Sequence, residues 1–192
     1  FSGWQNLLTP HPYWNMPSQD RIVLEDGEEV LEHVGKGPRC LITGDLLWGD
    51  YGVEATVRQM DHKSSPDNDE EYCIVARTGV ILRQQDVRRY YIFCIEGFSK
   101  AVLYRREDDI YYPLGVYTGV FCSHRYYTLR AEVEGDRFRC YVDGMLVFEA
   151  HDGTIKSGKA GIRTNTTSRL KGVLVTAAKK GQAAYLSTMK KQ

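Results

Sequence analysis

Carboxylates two positions apart on a strand are the first pattern here that could do chemistry. Residues i and i+2 share a strand face, and retaining glycoside hydrolysis needs two carboxyl groups about 5–5.5 Å apart. Glu132 and Glu134 in "AEVEG" have that spacing. Leu129, Ala131 and Val133 occupy the alternate positions, so the pair reads as the solvated side of a strand. "EDGEE", Glu25 to Glu29, is broken by Gly27 and reads as a turn, and no E-x-D-x-E run occurs. Asp67, Asn68 and Asp69 offer oxygens that suit calcium, but without EF-hand spacing or its glycine they read as a solvated loop. His11, His33, His62, His124 and His151 are scattered, with no H-x-H or H-E-x-x-H pair. There is no G-x-S-x-G elbow, and "GKG" at Gly35 to Gly37 is far from a phosphate loop.

Aromatic side chains are the stronger signal. Thirteen tyrosines and three tryptophans exceed what a core of this size needs, because a buried tyrosine hydroxyl must find a partner. Sugars present apolar C–H faces rimmed by hydroxyls, so aromatic platforms beside arginine, asparagine or aspartate suit them. Val102, Tyr104 and Arg106 alternate onto one strand face, as do Tyr91, Phe93 and Ile95. A sheet displaying Arg77, Tyr91 and Tyr104, flanked by Tyr111, Tyr112 and Trp48, is the expected sugar groove.

The elements that must position these residues are strands. Period-two alternation marks "YGVEATVRQ" and "YYTLRAEVEG", and further strands are expected at "RIVLEDG", "RCLITGD", "YCIVART", "YYIFCIEG", "AVLYRRE", "KAGIRTN" and "LKGVLVTA". Ten or so short strands, each with one polar face, imply an all-β antiparallel sandwich of two sheets. "RFRCYVDGMLVFEA" adds a hairpin. A two-residue Asp143–Gly144 turn would split its apolar residues between faces. A three-residue loop with Gly144 left-handed is therefore expected, pairing Tyr141 with Met145 and Phe138 with Phe148. "MDHKSSPDNDEE", Met60 to Glu71, reads as a long loop. The domain is expected to span 1–178, with 179–192 a tail or a link to another domain.

Composition narrows the partners. The 192 residues hold 25 basic and 25 acidic side chains, a formal charge of zero, so nucleic acid is not an expected partner. No apolar run approaches the roughly 20 residues of a membrane-spanning helix, so no membrane partner is expected. The five cysteines, Cys40, Cys73, Cys94, Cys122 and Cys140, form no C-x-x-C pair and read mainly as buried thiols. "NTT" at Asn165 to Thr167 fits the N-glycosylation pattern.

The order of the motifs is itself informative. "LLWGDYGVEATVR", "YCIVART", "RRYYIFCIEG" and "KAVLYRRE", followed by "YYTLRAEVEGDRFRCYVDGMLVFEAHDGTIKSGKAGIRTN", resemble the concanavalin A-like lectin/glucanase jelly roll over residues 14 to 177. They look most like its laminin-G-like branch, which includes domains of the keto-disaccharide hydrolase type. The resemblance implies a jelly-roll sandwich whose relatives include sugar binders, glycosidases, lyases and interaction modules. Laminarinase-type members carry the E-x-D-x-E motif that is missing here. Related jelly rolls use an acid in a final strand like "FDNVRV" to help bind a structural calcium. Lys171 and Gly172 stand in that region, and "FSGW" lacks the acid near the first strand, so no cofactor is expected and structural calcium is disfavoured. The expected function is a carbohydrate-binding module for an oligosaccharide or polysaccharide, secreted or extracellular, beside a neighbouring catalytic domain. The alternatives are a glycoside hydrolase or polysaccharide lyase of the same fold, and an interdomain packing or protein-interaction module.

Overall fold

A computed structural model describes residues 5–6, 19–35, 38–61 and 75–178. They form two seven-stranded antiparallel sheets, with no helix among the described residues. The first sheet runs β1 (Gln5–Asn6), β4 (Arg39–Thr43), β13 (Lys159–Thr164), β6 (Arg77–Asp86), β7 (Arg89–Glu96), β8 (Lys100–Glu107), β9 (Ile110–Thr118). The second runs β12 (Met145–His151), β11 (Arg137–Val142), β10 (Tyr127–Glu134), β5 (Tyr51–Gln59), β14 (Ser168–Ala177), β3 (Glu28–Val34), β2 (Gln19–Glu25). This is an all-β jelly-roll sandwich.

Alternation builds the core. Val53, Ala55 and Val57 of β5 and Leu129, Ala131 and Val133 of β10 face Val80, Leu82, Phe93, Leu103 and Ile162 of the first sheet. Full burial of such a side chain contributes about 1.5–3 kcal/mol. The edges of the two sheets also meet: a Cβ at Gly115 on β9 would fall into the Phe148 ring of β12, so only glycine permits this approach.

The β7 strand departs from simple alternation, because all of it except Arg89 is buried. Tyr91, Phe93 and Ile95 enter the intersheet core, while Tyr90, Ile92 and Cys94 join Cys40, Ile42, Ile81, Val102 and Tyr104 in a second apolar cluster. That cluster lies on the outer face of the first sheet, and the candidate site is built on it.

The β11–β12 hairpin corrects the expected loop. Val142 pairs with Met145, and both Asp143 (φ 50°) and Gly144 (φ 79°) are left-handed, so the turn has two residues. The register conflict is resolved farther along the strand. Tyr141 pairs with Leu146 and Cys140 with Phe148, leaving Val147 as the extra residue of a bulge. Phe138 then sits opposite Ala150 rather than Phe148, and Met145 and Leu146 remain exposed. The Asp26–Gly27 pair of "EDGEE" makes the same kind of turn between β2 and β3. Of the expected strand "YCIVART", residues 72–74 lie outside the described residues and Arg77 opens β6, while β9 was not foreseen. The loop beyond Asp61, with Asp67, Asn68 and Asp69, and the segment 179–192 lie outside the described residues.

Candidate functional site

Antiparallel register sets the outer face of the first sheet. Arg77 pairs with Glu96, Glu96 with Lys100, and Arg106 with Tyr111, so each row of the ladder brings a cation to its neighbours. Tyr104 lies opposite Ile92, which carries its ring over the apolar cluster. Arg77 is fixed from below, because its backbone N–H donates to Asn165 Oδ1 at 2.6 Å while Asn165 Nδ2 donates to Val75 O at 3.0 Å.

Glu96 is the hub. Its Oε2 accepts from Arg77 Nε at 2.7 Å and from the Tyr104 hydroxyl at 2.7 Å, and its Oε1 meets Lys100 Nζ at 2.7 Å. Burial pushes the Glu96 carboxyl up, but the hydrogen bonds from Lys100, Tyr104 and Arg77 outweigh it and hold the group below the ordinary glutamate range. The same carboxylate, together with burial, pushes the Tyr104 phenol well up, so Tyr104 remains a neutral donor. Above this hub the Arg77 guanidinium lies 4.5 Å from the Tyr111 ring centre and 5.1 Å from that of Tyr104. The two rings meet edge to face at 5.6 Å. Arg106 donates from Nη1 to the Tyr90 hydroxyl at 2.9 Å and lies 5.3 Å from the Tyr111 ring. The result is a lattice of arginines and tyrosines, with the partly exposed Arg77, Lys100, Arg106 and Tyr111 above the buried Glu96 and Tyr104. Planar cations and rings stacked in this way hold one another in place and leave apolar faces and N–H donors side by side.

The predicted groove residues do not all gather here. Arg77 and Tyr104 do, with Tyr111. Tyr91 does not: it is fully buried on the opposite face, packs 4.5 Å from Phe138, and donates its hydroxyl to Asp152 Oδ1 at 2.7 Å. Its alternation partners Phe93 and Ile95 are core residues, so the same parity that puts Tyr90 outside puts Tyr91 inside. Tyr112 follows Tyr91, since it pairs with Arg105 and lies 4.7 Å from that guanidinium. Arg105 in turn pairs with Asp152 beside Tyr91. Trp48 packs edge-on to Tyr51 at 5.9 Å against the intersheet core. Sequence reading put Arg106 on the Tyr104 face without assigning it to the groove, and it missed Glu96, Lys100 and Arg163, because an isolated charge in a strand gives no sign of its cross-strand partner.

The other candidates sit on the second sheet. Glu132 faces outward and is held by Arg130, by Arg139 Nη2 at 3.1 Å and by the Tyr141 hydroxyl at 3.3 Å. Glu25 is bound by the Tyr126 hydroxyl, by Arg58 and by Arg169. Lys171 Nζ bonds Glu28 Oε2 at 2.6 Å, so an ion-paired cation stands at that position of the last strand, β14. Among the described residues, no three His, Cys, Asp or Glu side chains are grouped to hold a metal ion. The "NTT" asparagine is 4% exposed and commits both ends of its amide to the Arg77 and Val75 backbone, so the folded chain does not offer it for glycosylation.

The same architecture occurs in solved structures. The carbohydrate binding module CBM66 from Bacillus subtilis matches with a TM-score of 0.68 at 19% identity, over 91% of this chain and 96% of that one. Bacillus licheniformis beta-glucanase matches with a TM-score of 0.61 at 12% identity, over 93% and 94% of the two chains. Domain 4 of the extracellular GH43 arabinanase AbnA from Geobacillus stearothermophilus, solved with arabinotriose, matches with a TM-score of 0.56 at 13% identity, over 86% and 81%. These likenesses establish the concanavalin A-like jelly-roll fold. No protein-family model matches this sequence, and no curated protein matches it.

Proposed function

We propose that this chain is a carbohydrate-binding module of the concanavalin A-like jelly roll, in its laminin-G-like branch. The observation that carries the reading is the lattice on the first sheet, where the Arg77 guanidinium and the Tyr111 ring are held over Tyr104 and Glu96. A flat ring beside fixed N–H donors suits a sugar, which offers a C–H face to one and hydroxyl oxygens to the other. Glu96 is the one described carboxylate in the hub, and its oxygens are already bound by three donors. This suits positioning better than acid–base exchange, which needs a second carboxyl group. The likeness to a carbohydrate binding module and to a domain solved with arabinotriose supports the same reading.

The module acts beside a catalytic domain of a secreted polysaccharide-processing protein, with residues 179–192 as its tail or link. Calorimetric titration against a panel of oligosaccharides and soluble polysaccharides, with a parallel hydrolysis and lyase screen, tests this. At least one glycan binds without being cleaved. Tyr111→Ala and Arg77→Gln each weaken binding by about fivefold, the loss of roughly 1 kcal/mol of stacking, with the cooperative melt intact. Cleavage of any panel member, or unchanged affinity in both variants, overturns the assignment.

A further inference from the structure

Arg163 on β13 shares the outer face with this lattice. Its neighbours Ala160 and Ile162 are in the core, whereas Arg163 itself pairs across the ladder with Cys40 and Gly79. It is 7% exposed, and the titratable groups around it are Tyr90, Tyr111, Cys40 and Cys94. None of the four is a carboxylate. No carboxylate among the described residues pairs with Arg163, and its Nη1 is buried without a hydrogen-bond partner. The other buried guanidinium of the first sheet is treated differently: Arg83 donates to the carbonyls of Gly49, Ile155 and Gly135.

The charge of the whole face is unbalanced in the same direction. Among the described residues, Arg77, Lys100, Arg106 and Arg163 supply four cations, and the carboxylates among them are Glu96, already bound by three donors, and the exposed Asp109, 3.5 Å from Arg106. A buried cation without a counter-charge is costly, and an anion delivered to it recovers that cost. Tyr111, on the edge strand β9, packs its ring on the same cluster, and its hydroxyl lies 3.5 Å from that of Tyr90.

We infer that the glycan this face takes is acidic: a sugar ring bearing a carboxylate or sulfate, whose oxyanion is received by Arg163 beside the Tyr111 ring, while Arg77 and Arg106 flank it. The inference rests on the sugar-binding reading above and adds the substrate class. Guanidinium matches both oxyanions through paired N–H donors.

Three probes test it by calorimetry at low and moderate salt: trigalacturonic acid, its fully methyl-esterified form, and a sulfated carrageenan oligosaccharide, beside a neutral panel that includes arabinotriose. At least one acidic probe binds about tenfold or more tighter than its neutral counterpart, with affinity falling as salt rises. The trimer identifies carboxylate as the ligand group, and the carrageenan oligosaccharide identifies sulfate. Arg163→Met loses that tenfold preference while melting at or above the wild-type temperature, because an unpaired buried charge has been removed. If Arg163→Met fails to fold, Arg163→Lys decides: it retains part of the preference for acid, and a lysine variant that binds acid and ester equally overturns the inference. Neutral glycans that bind as tightly as acidic ones overturn it too, leaving the sugar-binding reading intact. Failure of every glycan, acidic or neutral, removes that reading instead.

Discussion

Replacing Arg83 with methionine tests what fastens one end of the sandwich. Arg83 is 1% exposed and stands in the left-handed region at φ 50°. Its Nε donates to Gly49 O at 3.0 Å, Nη1 to Ile155 O at 2.9 Å and Nη2 to Gly135 O at 2.7 Å, with Asp50 Oδ1 at 3.4 Å. One side chain thus ties β6 to the entry of β5, the β10–β11 turn and the loop before β13. Methionine keeps the length and packs on Phe138, but it leaves three carbonyl oxygens without this donor. Hydrogen bonds to a charged group are worth about 1.5–3 kcal/mol each, or roughly 4.5–9 kcal/mol for three. Against this stands the desolvation of the guanidinium, several kcal/mol, which also pushes the Arg83 pKa down. The difference is about 3 kcal/mol of lost stability, or roughly 6–12 °C in Tm for a chain of this size. Urea unfolding with linear extrapolation measures it, with the exposed Arg88→Met as a control expected within about 0.5 kcal/mol. An Arg83→Met variant as stable as that control would mean that desolvation cancels the fork, and the account of this end of the fold would be wrong.

Two further outcomes follow from the titrating groups. The Glu96 carboxyl lies below its ordinary value of 4.5 in the folded chain, so the unfolded state binds more protons as pH falls. Its contribution is fully present above pH 4.5 and is lost as pH drops through the lower folded value; Glu96→Gln therefore flattens the acid limb of a Tm-against-pH curve, and an unchanged limb refutes the hub. Burial pushes the Cys40 and Cys94 thiols up to about 12 and raises Cys140 as well, whereas the Tyr127 hydroxyl bond lowers exposed Cys122. Among the four described cysteines, site-resolved alkylation of the native protein should label Cys122 first and Cys40, Cys94 and Cys140 only on unfolding, and equal labelling rates at these four would contradict the packing.

The fold was legible because its signals are local. Val53, Ala55 and Val57 alternate with Glu54, Thr56 and Arg58, and one buried face is enough to declare a strand. The β9 strand escaped because Pro113 lies within "IYYPLGVYT", and proline normally argues against a strand. Here it sits on an edge, next to a bulge where Leu103 pairs with Gly115 and Tyr104 with Pro113. The hairpin was misread for a related reason. Parity identified a conflict between Phe138 and Phe148 but could not say where the extra residue goes, and the structure places it at Val147 rather than in the turn.

The site was half legible, and parity explains which half. Tyr104 and Arg106 were read onto one face from β8 alone, and they share it. Tyr91 was assigned to that face from a different strand, and relating strands requires the register. Ile92 pairs with Tyr104 and Tyr91 with Arg105, so a one-residue difference sends Tyr91 to the core. A strand covered on both sides, such as β7, removes the polar alternation that would have announced this. The chemistry of the lattice is therefore a property of register: Arg77, Glu96 and Lys100 come from three strands and acquire meaning when the ladder sets them in one row. A slip of one residue would scatter all three, so the residues that fix register, including the bulge at Leu82 to Asp86 and the Asn165 anchor on Arg77, position the site without belonging to it.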